Sequence, residues 1–167
     1  MYIKNIFFTI CCICLFSIVS GQESKGWLTN YEEVYAKSIK ENKPIMANFT
    51  GSDWCGWCIQ LKKHIFNKQE FKSWANENIV LLYLDFPKRT KLDQSLENQN
   101  KLFSQNWRVN SFPTGIFVSV TKLENKKFQL KEIARHAVQL VPNSPRREFV
   151  SAEKWTKTVD SKLSNKN

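Results

Sequence analysis

The stretch from Ile45 to Ile65 constrains the fold more than any other. Ile45, Ala47 and Phe49 alternate with Met46, Asn48 and Thr50, then Gly51-Ser52-Asp53-Trp54 leads into Cys55-Gly56-Trp57-Cys58. Beyond the second cysteine, Leu61 and Ile65 recur at helical spacing. Period two reads as a strand and a four-residue recurrence as a helix. The dithiol therefore falls at the first turn of a helix fed directly by a strand, with Gly51 allowing the sharp turn between them. A helix start carries unpaired N–H groups and partial positive charge, which stabilise a thiolate on the first cysteine.

The remaining cysteines sharpen this reading. Of five, Cys11, Cys12 and Cys14 lie in an apolar run, Ile6 to Val19, preceded by Lys4 and closed by the small residues of Val19-Ser20-Gly21. A positive start, a run too short to span a bilayer comfortably and a small-residue end read as a secretory signal over residues 1–21, cleaved after Gly21. An uncleaved anchor is the alternative. A lipoprotein fits less well, because the cysteines sit inside the run rather than after a cleavage site. The mature chain then keeps only Cys55 and Cys58. A disulfide across so short a loop removes little chain entropy, so redox chemistry explains the pair better than scaffolding does.

The 167 residues carry a formal charge of +10, and Lys4 is the only charged residue of the first 21. The lysines are interspersed with glutamates and form no run of five, which describes a solvated surface rather than a nucleic-acid footprint.

In order along the chain, Gln22 to Gly26 reads as a loose leader, and Thr29 with Glu32 resembles a capping box before a helix reaching about Asn42. Lys43-Pro44 stops it. After the dithiol the helical pattern breaks near Asn67 and resumes through Phe71, Trp74 and Ala75 to about Asn78. Ile79 to Leu84 is continuously apolar, as a central strand covered on both faces would be. Lys88 to Lys91 forms a basic loop. Leu92, Leu96, Gln99, Leu102 and Phe103 predict a helix reaching Trp107. Phe112-Pro113-Thr114 introduces a strand from Gly115 to Val120, and Phe128, Leu130 and Ile133 a short edge strand. Ser144 and Pro145 suit the cap and first position of a last helix carrying Phe149, Ala152, Thr156, Val159 and Leu163 on one side. With no repeat or long linker, residues 22–167 read as one α/β domain whose strands at Ile45 and Ile79 run parallel.

These features together resemble the thioredoxin fold, in its exported bacterial thioredoxin-like form. The apolar strand feeding Trp54-Cys55-Gly56-Trp57-Cys58, the distant Phe112-Pro113-Thr114 turn and the strand after it carry the resemblance, over roughly Trp27 to Val120. The resemblance implies a three-layer sandwich, a central mixed β-sheet flanked by helices, and a cis bond before Pro113. It places the Phe112 backbone beside the dithiol, where an extended client could pair as an added strand. It implies a thiol–disulfide oxidoreductase in which Cys55, at an exposed helix start, attacks and Cys58 resolves the mixed disulfide. Thiols in such motifs have pKa values of ~3.5–7.5. Trp54, Gly56, Trp57, Phe112 and Pro113 would meet the client, with Trp54 at the site edge and Trp57 as an apolar rim. No cofactor beyond the redox-active Cys55–Cys58 pair is expected. Protein thiol and disulfide clients, a membrane-bound electron donor, a monomeric state and a periplasmic or secreted location complete the expectation.

This chain departs from the family at two points. Gly-Trp separates the cysteines where thioredoxins usually have Gly-Pro, so the direction of electron flow does not carry over; reduction or isomerisation is favoured by analogy. Asn48 stands where thioredoxins commonly bury an acid that moves the proton of the second cysteine, and an amide cannot take that proton. Asp53 is expected at the surface, its charge slightly opposing the Cys55 thiolate. The competing classes are metal or copper handling by Cys55 and Cys58 with His64 or His136, and a non-catalytic binding module. No second C-x-x-C completes a zinc site, and the two histidines are expected to point away or lie at the surface. Covalent haem attachment is excluded by Ile59, since that motif needs His after the second cysteine.

Overall fold

The fold is described from a computed structural model, over residues 26–124 and 127–164. The predicted signal segment lies outside the described residues. Strand β1 (Trp27–Leu28) precedes helix α1 (Tyr31–Glu41), then come β2 (Ile45–Thr50) and α2 (Gly56–Leu61), which continues as a π-helical turn (Lys62–Phe66). Next are α3 (Gln69–Asn78), β3 (Val80–Asp85), α4 (Gln94–Asn106), β4 (Thr114–Lys122), β5 (Phe128–Arg135) and α5 (Ala152–Ser164).

The strands form one sheet in the order β1-β3-β2-β4-β5. Strands β1, β3 and β2 run parallel, with Ile45 opposite Val80, while β4 pairs antiparallel with both β2 and β5. Strand β2 is therefore central, and all six of its residues are buried. Because side chains alternate across a sheet, its two faces feed two separate cores. Met46 packs with Leu61, Ile65, Phe71, Phe117 and Trp155 under the dithiol helix, α3 and α5. Ile45, Ala47 and Phe49 pack with Val34, Tyr35 and Phe103 under α1 and α4. The predicted three-layer sandwich is the observed architecture.

Several local expectations are corrected. Asn30, not Thr29, caps α1: its Oδ1 accepts from the N–H groups of Glu32 (2.8 Å) and Glu33 (3.1 Å). The Thr29 carbonyl instead accepts from Gln99 Nε2 at 2.8 Å, while Gln99 Oε1 takes the Tyr31 N–H at 3.1 Å. One buried-side amide thus ties α4 to the start of α1. Leu102 is 55% exposed rather than inward. It lies two positions beyond the buried Asn100, roughly 200° around the helix axis. Strand β5 is longer than the short edge strand expected, running to Arg135.

The last helix starts at Ala152, not after Ser144. Backbone groups between Val141 and Val150 are spent elsewhere: Val141 N–H donates to Glu148 O (2.7 Å), Val150 N–H to Gln139 O (3.1 Å), and Leu140 bridges Phe149. Ser151 caps α5 through its Oγ, which accepts the Lys154 N–H at 3.2 Å. The anchor of that helix is Trp155, fully buried against Phe66, Phe71 and Trp74, with its indole N–H on the Ala137 carbonyl at 2.7 Å. His136, expected at the surface, packs half-buried against the same indole. Its carbonyl lies so close to Gly115 that a side chain on that glycine would strike it.

Candidate functional site

The turn between β2 and α2 is built by two carboxylates that come from, or reach to, the end of β3. Asp85 Oδ1 accepts the backbone N–H of Ser52 at 2.9 Å and that of Phe86 at 2.9 Å, and Oδ2 accepts the Ser52 hydroxyl. Asp53 accepts three backbone N–H groups from the facing loop, Lys88 (2.9 Å), Arg89 (2.6 Å) and Thr90 (3.0 Å). Those donors hold its carboxyl below the usual aspartate range. Asp53 lies partly exposed at the surface, as expected, and also clamps that loop. Gly51 has no left-handed φ; its role is room. A Cβ there would sit 2.5 Å from Trp54 Cε2 and 2.6 Å from Nε1.

The indole that Gly51 accommodates is fixed on three sides. Trp54 Nε1 donates to the Phe86 carbonyl at 2.7 Å, Phe112 meets the ring edge-on at 5.9 Å, and Lys88 Nζ lies 4.0 Å from the ring centroid. Trp57, 40% exposed, rests against Phe149 at 5.9 Å, and His64 stacks on the other part of that phenyl at 5.2 Å. Trp54 is thus held by a hydrogen bond, a cation and a ring contact, and Trp57 by a ring contact.

Cys55 and Cys58 form a disulfide, with Cα atoms 5.2 Å apart. Cys55 is the N-cap of α2, its backbone extended, and its Sγ accepts the Cys58 N–H at 3.2 Å. That bond turns the sulfur back over the first turn. Cys55 is consequently only 7% exposed, not openly exposed as expected, and Cys58 4%. The same N–H is placed to stabilise a thiolate on Cys55 once the disulfide opens. Gly56 is exposed and a Cβ there would meet nothing.

The Phe112–Pro113 peptide is cis, as the resemblance implies. Pro113 lines a common cavity with Cys58, Asn48, Lys62 and Tyr83. Asn48 is 3% exposed and its Oδ1 has no hydrogen-bond partner in the structure. Burial pushes the Tyr83 phenol up to about 12. His64 is hydrogen-bonded to Gln60 Oε1 at 3.1 Å on the helix exterior. Among the described residues, no group of three or more His, Cys, Asp or Glu is placed to hold a metal ion.

A family model described as a thioredoxin-like domain matches residues 31–122. The chain belongs to this family. It is 33% identical over 89 residues to the disulfide bond reductase DsbH of Chlamydia pneumoniae, covering 53% of this chain and 54% of that protein. It is 26% identical over 97 residues to the thioredoxin-related protein DsbJ of the same organism, covering 58% of this chain and 28% of DsbJ. The matches thus span about half the length of DsbH and less of DsbJ. A solved structure described as DsbH oxidoreductase superposes with a TM-score of 0.66 at 27% identity, over 83% of each chain.

Sequence reasoning did not find Asp85 as the acceptor that shapes the dithiol turn, Phe149 as the support of Trp57, or the clamping role of Asp53. All three act through partners distant in the chain.

Proposed function

We propose that this protein is a thiol–disulfide oxidoreductase acting on protein disulfides, in the reducing or isomerising direction. The observation that carries the reading is the Cys55–Cys58 disulfide at the start of α2, with the Cys58 N–H directed at Cys55 Sγ. In the reduced protein the Cys55 thiolate attacks one sulfur of a client disulfide. A Cys55–client bond forms and the other client sulfur leaves as a thiolate. The Cys58 thiolate then attacks Cys55 Sγ, releasing the second client sulfur and restoring the Cys55–Cys58 bond. Two electrons pass from the protein dithiol to the client, and the two thiol protons that the dithiol gives up to water are balanced by those the released client thiolates take up. Trp54, Gly56, Trp57, Phe112 and Pro113 would line the client site. Similarity to a protein named a disulfide bond reductase favours reduction.

The reaction belongs outside the cytoplasm in this proposal, in the periplasm or a secreted pool. Support comes from Lys4, the apolar Ile6–Val19 run and the small residues that close it at Gly21. No helix of the described residues is long and apolar enough to cross a membrane. A membrane-bound donor would return electrons to the Cys55–Cys58 disulfide, and the protein would act as a monomer.

Insulin-disulfide reduction by purified protein tests this. Cys55→Ser is expected to reduce activity to background, while Cys58→Ser accumulates a mixed disulfide detectable by mass. Undiminished activity in Cys55→Ser refutes the assignment. A Cys55–Cys58 potential near about −270 mV supports the reducing direction, and one near about −120 mV refutes it.

A further inference from the structure

Beside the Trp54 rim lies a cleft of about 420 Å³ between the β3–α4 loop and α4, lined by Lys88, Arg89, Lys91 and Lys101 with Asp85 and Glu97. Its carboxylates are held by hydrogen bonds or an ion pair, and cations outnumber them in the lining four to two. Asp85 is satisfied by Ser52 and Phe86, and Glu97 pairs with Lys101 at 2.6 Å. Asp53, at the cleft edge, spends both oxygens on the loop backbone. Among the described residues, none of the ion pairs within 4.0 Å includes Lys88, Arg89 or Lys91, and all three are exposed. A backbone clamped by a carboxylate therefore presents three exposed cations, none in an ion pair within 4.0 Å, on a lining that holds four cations and two carboxylates beside the Trp54 rim. Lys88 links them to the reactive region, since its ammonium sits over the Trp54 ring, one residue before Cys55.

We propose that this loop is a specificity element that selects acidic client segments, taking aspartate or glutamate side chains that neighbour the client's reacting cysteine. This rests on the proposed oxidoreductase function and names the substrate class of that site. A cleft of this size admits side chains of an extended peptide. The adjoining Trp54 indole, 37% exposed, offers an apolar surface for the residue between cysteine and acid. Placing the cations on a clamped loop lowers the ordering cost of binding. Complementary charge at such a rim acts chiefly on encounter rate and selectivity.

The test uses the reduced protein and disulfide-linked dimers of a short peptide whose central cysteine is flanked by aspartates, asparagines or lysines. Single-turnover release of peptide thiol is measured for each. Every rate is divided by that peptide's rate with dithiothreitol, which removes intrinsic differences in reactivity. At low ionic strength the aspartate peptide is expected to react about tenfold faster than the lysine peptide on this normalised scale. The ratio should collapse toward one in about 1 M salt, where the screening length is ~3 Å. In an Arg89→Glu/Lys91→Glu variant it should fall to one or invert. Equal normalised rates in the parent protein at low salt overturn the inference and leave the oxidoreductase proposal standing. Absence of exchange with all three peptides removes both. Binding to anionic phosphatidylglycerol vesicles without any preference among the peptides assigns the cations to a membrane surface and likewise overturns it.

Discussion

Replacing Asn48 with aspartate probes the least-satisfied polar position near the dithiol. The two side chains have nearly the same shape, so packing barely changes, and the effect is electrostatic. Asn48 is 3% exposed, its Oδ1 lacks a partner, and its strand lies between β3 and β4, opposite Tyr83 and Gly115. A carboxyl placed there loses hydration and gains no compensating donor in the present arrangement. Burial of this degree raises a carboxyl pKa by several units; a rise of about three takes it from about 3.9 to about 7. The folded protein then keeps the acid neutral while the unfolded chain ionises it, so the unfolded state gains as pH rises. Below about pH 3.9 both forms are protonated and the penalty vanishes. Above it the cost grows by about 1.4 kcal/mol per pH unit, reaching about 1.5 kcal/mol at pH 5 and about 4 kcal/mol at pH 7.

Urea unfolding of the parent and Asn48→Asp proteins across pH 4–7, with the disulfide intact, measures that slope directly. The expected result is a stability difference that widens with pH and then flattens as the folded-state carboxyl ionises. A difference that stays flat and small from pH 4 to 7 refutes the burial argument. It would mean that water, or Lys62 on the same cavity, supplies the solvation that the structure withholds. The same variant should shorten the lifetime of the mixed disulfide at neutral pH, because a carboxyl with a pKa of about 7 is partly ionised there and can take the Cys58 proton, which an amide cannot.

Two further outcomes follow from the site's construction. Gly51→Ala drives a methyl into the Trp54 indole and displaces it from the Phe86 carbonyl and from Phe112. The loss of one hydrogen bond and one ring contact costs about 2 kcal/mol, read from urea midpoints. A change within about 0.5 kcal/mol shows that the ring moves freely and that Gly51 is not there for room. His136 is held neutral by burial beside Trp155, then by the Lys162 charge, with its imidazole pushed down to about 4. Because its folded pKa lies below the unfolded ~6.5, its contribution is fully present above pH 6.5 and is lost as pH falls toward 4. After allowing for solvent screening of a half-exposed ring this amounts to about 1 kcal/mol. His136→Gln should remove that part of the acid slope in unfolding experiments; an unchanged slope shows that the imidazole titrates normally.

What could be foreseen from the chain was set by the range over which each residue acts. The Ile45–Thr50 alternation is local, so its period foretells which residues share a face, whereas the place of Asn48 near the dithiol is implied by the resemblance to thioredoxins. The break at Asn67 marks the end of the π turn for the same reason, since a change of helical phase is visible over one turn. Strand β1 has two residues and therefore no period; Trp27 is recognisable as core only through Phe66, Phe71 and Tyr83, which approach it from other elements. Asp53 reads as a surface charge because its three donors lie more than thirty positions away. Ser144-Pro145 carries a genuine helix-start signal, and the hairpin-like bridge between Leu140 and Phe149 on either side of it overrides that signal.

The burial of Cys55 bears on how selection can operate. In the proposed reaction a client sulfur would meet Cys55 through the 7% of the residue that is exposed, with Trp54 and Trp57 beside it in the sequence and both exposed. On the Trp54 side polar supports join one ring contact: the indole N–H on Phe86, the ammonium over the ring and the Asp53 carboxylate holding the loop, with Phe112 edge-on to the indole. On the Trp57 side the supports are rings, Phe149 and His64. The two walls therefore respond to different variables. Salt screens the cations of the first wall and leaves the second untouched. Acid reaches the first wall only late, because three N–H donors depress the Asp53 pKa. Its stabilising bonds are complete above the unfolded aspartate pKa and weaken only as pH drops through the lower folded value. A charge-selective wall clamped by a carboxylate whose pKa is lowered keeps its geometry across the pH range in which cysteine thiolates form, so client charge and thiol ionisation can be varied independently of each other.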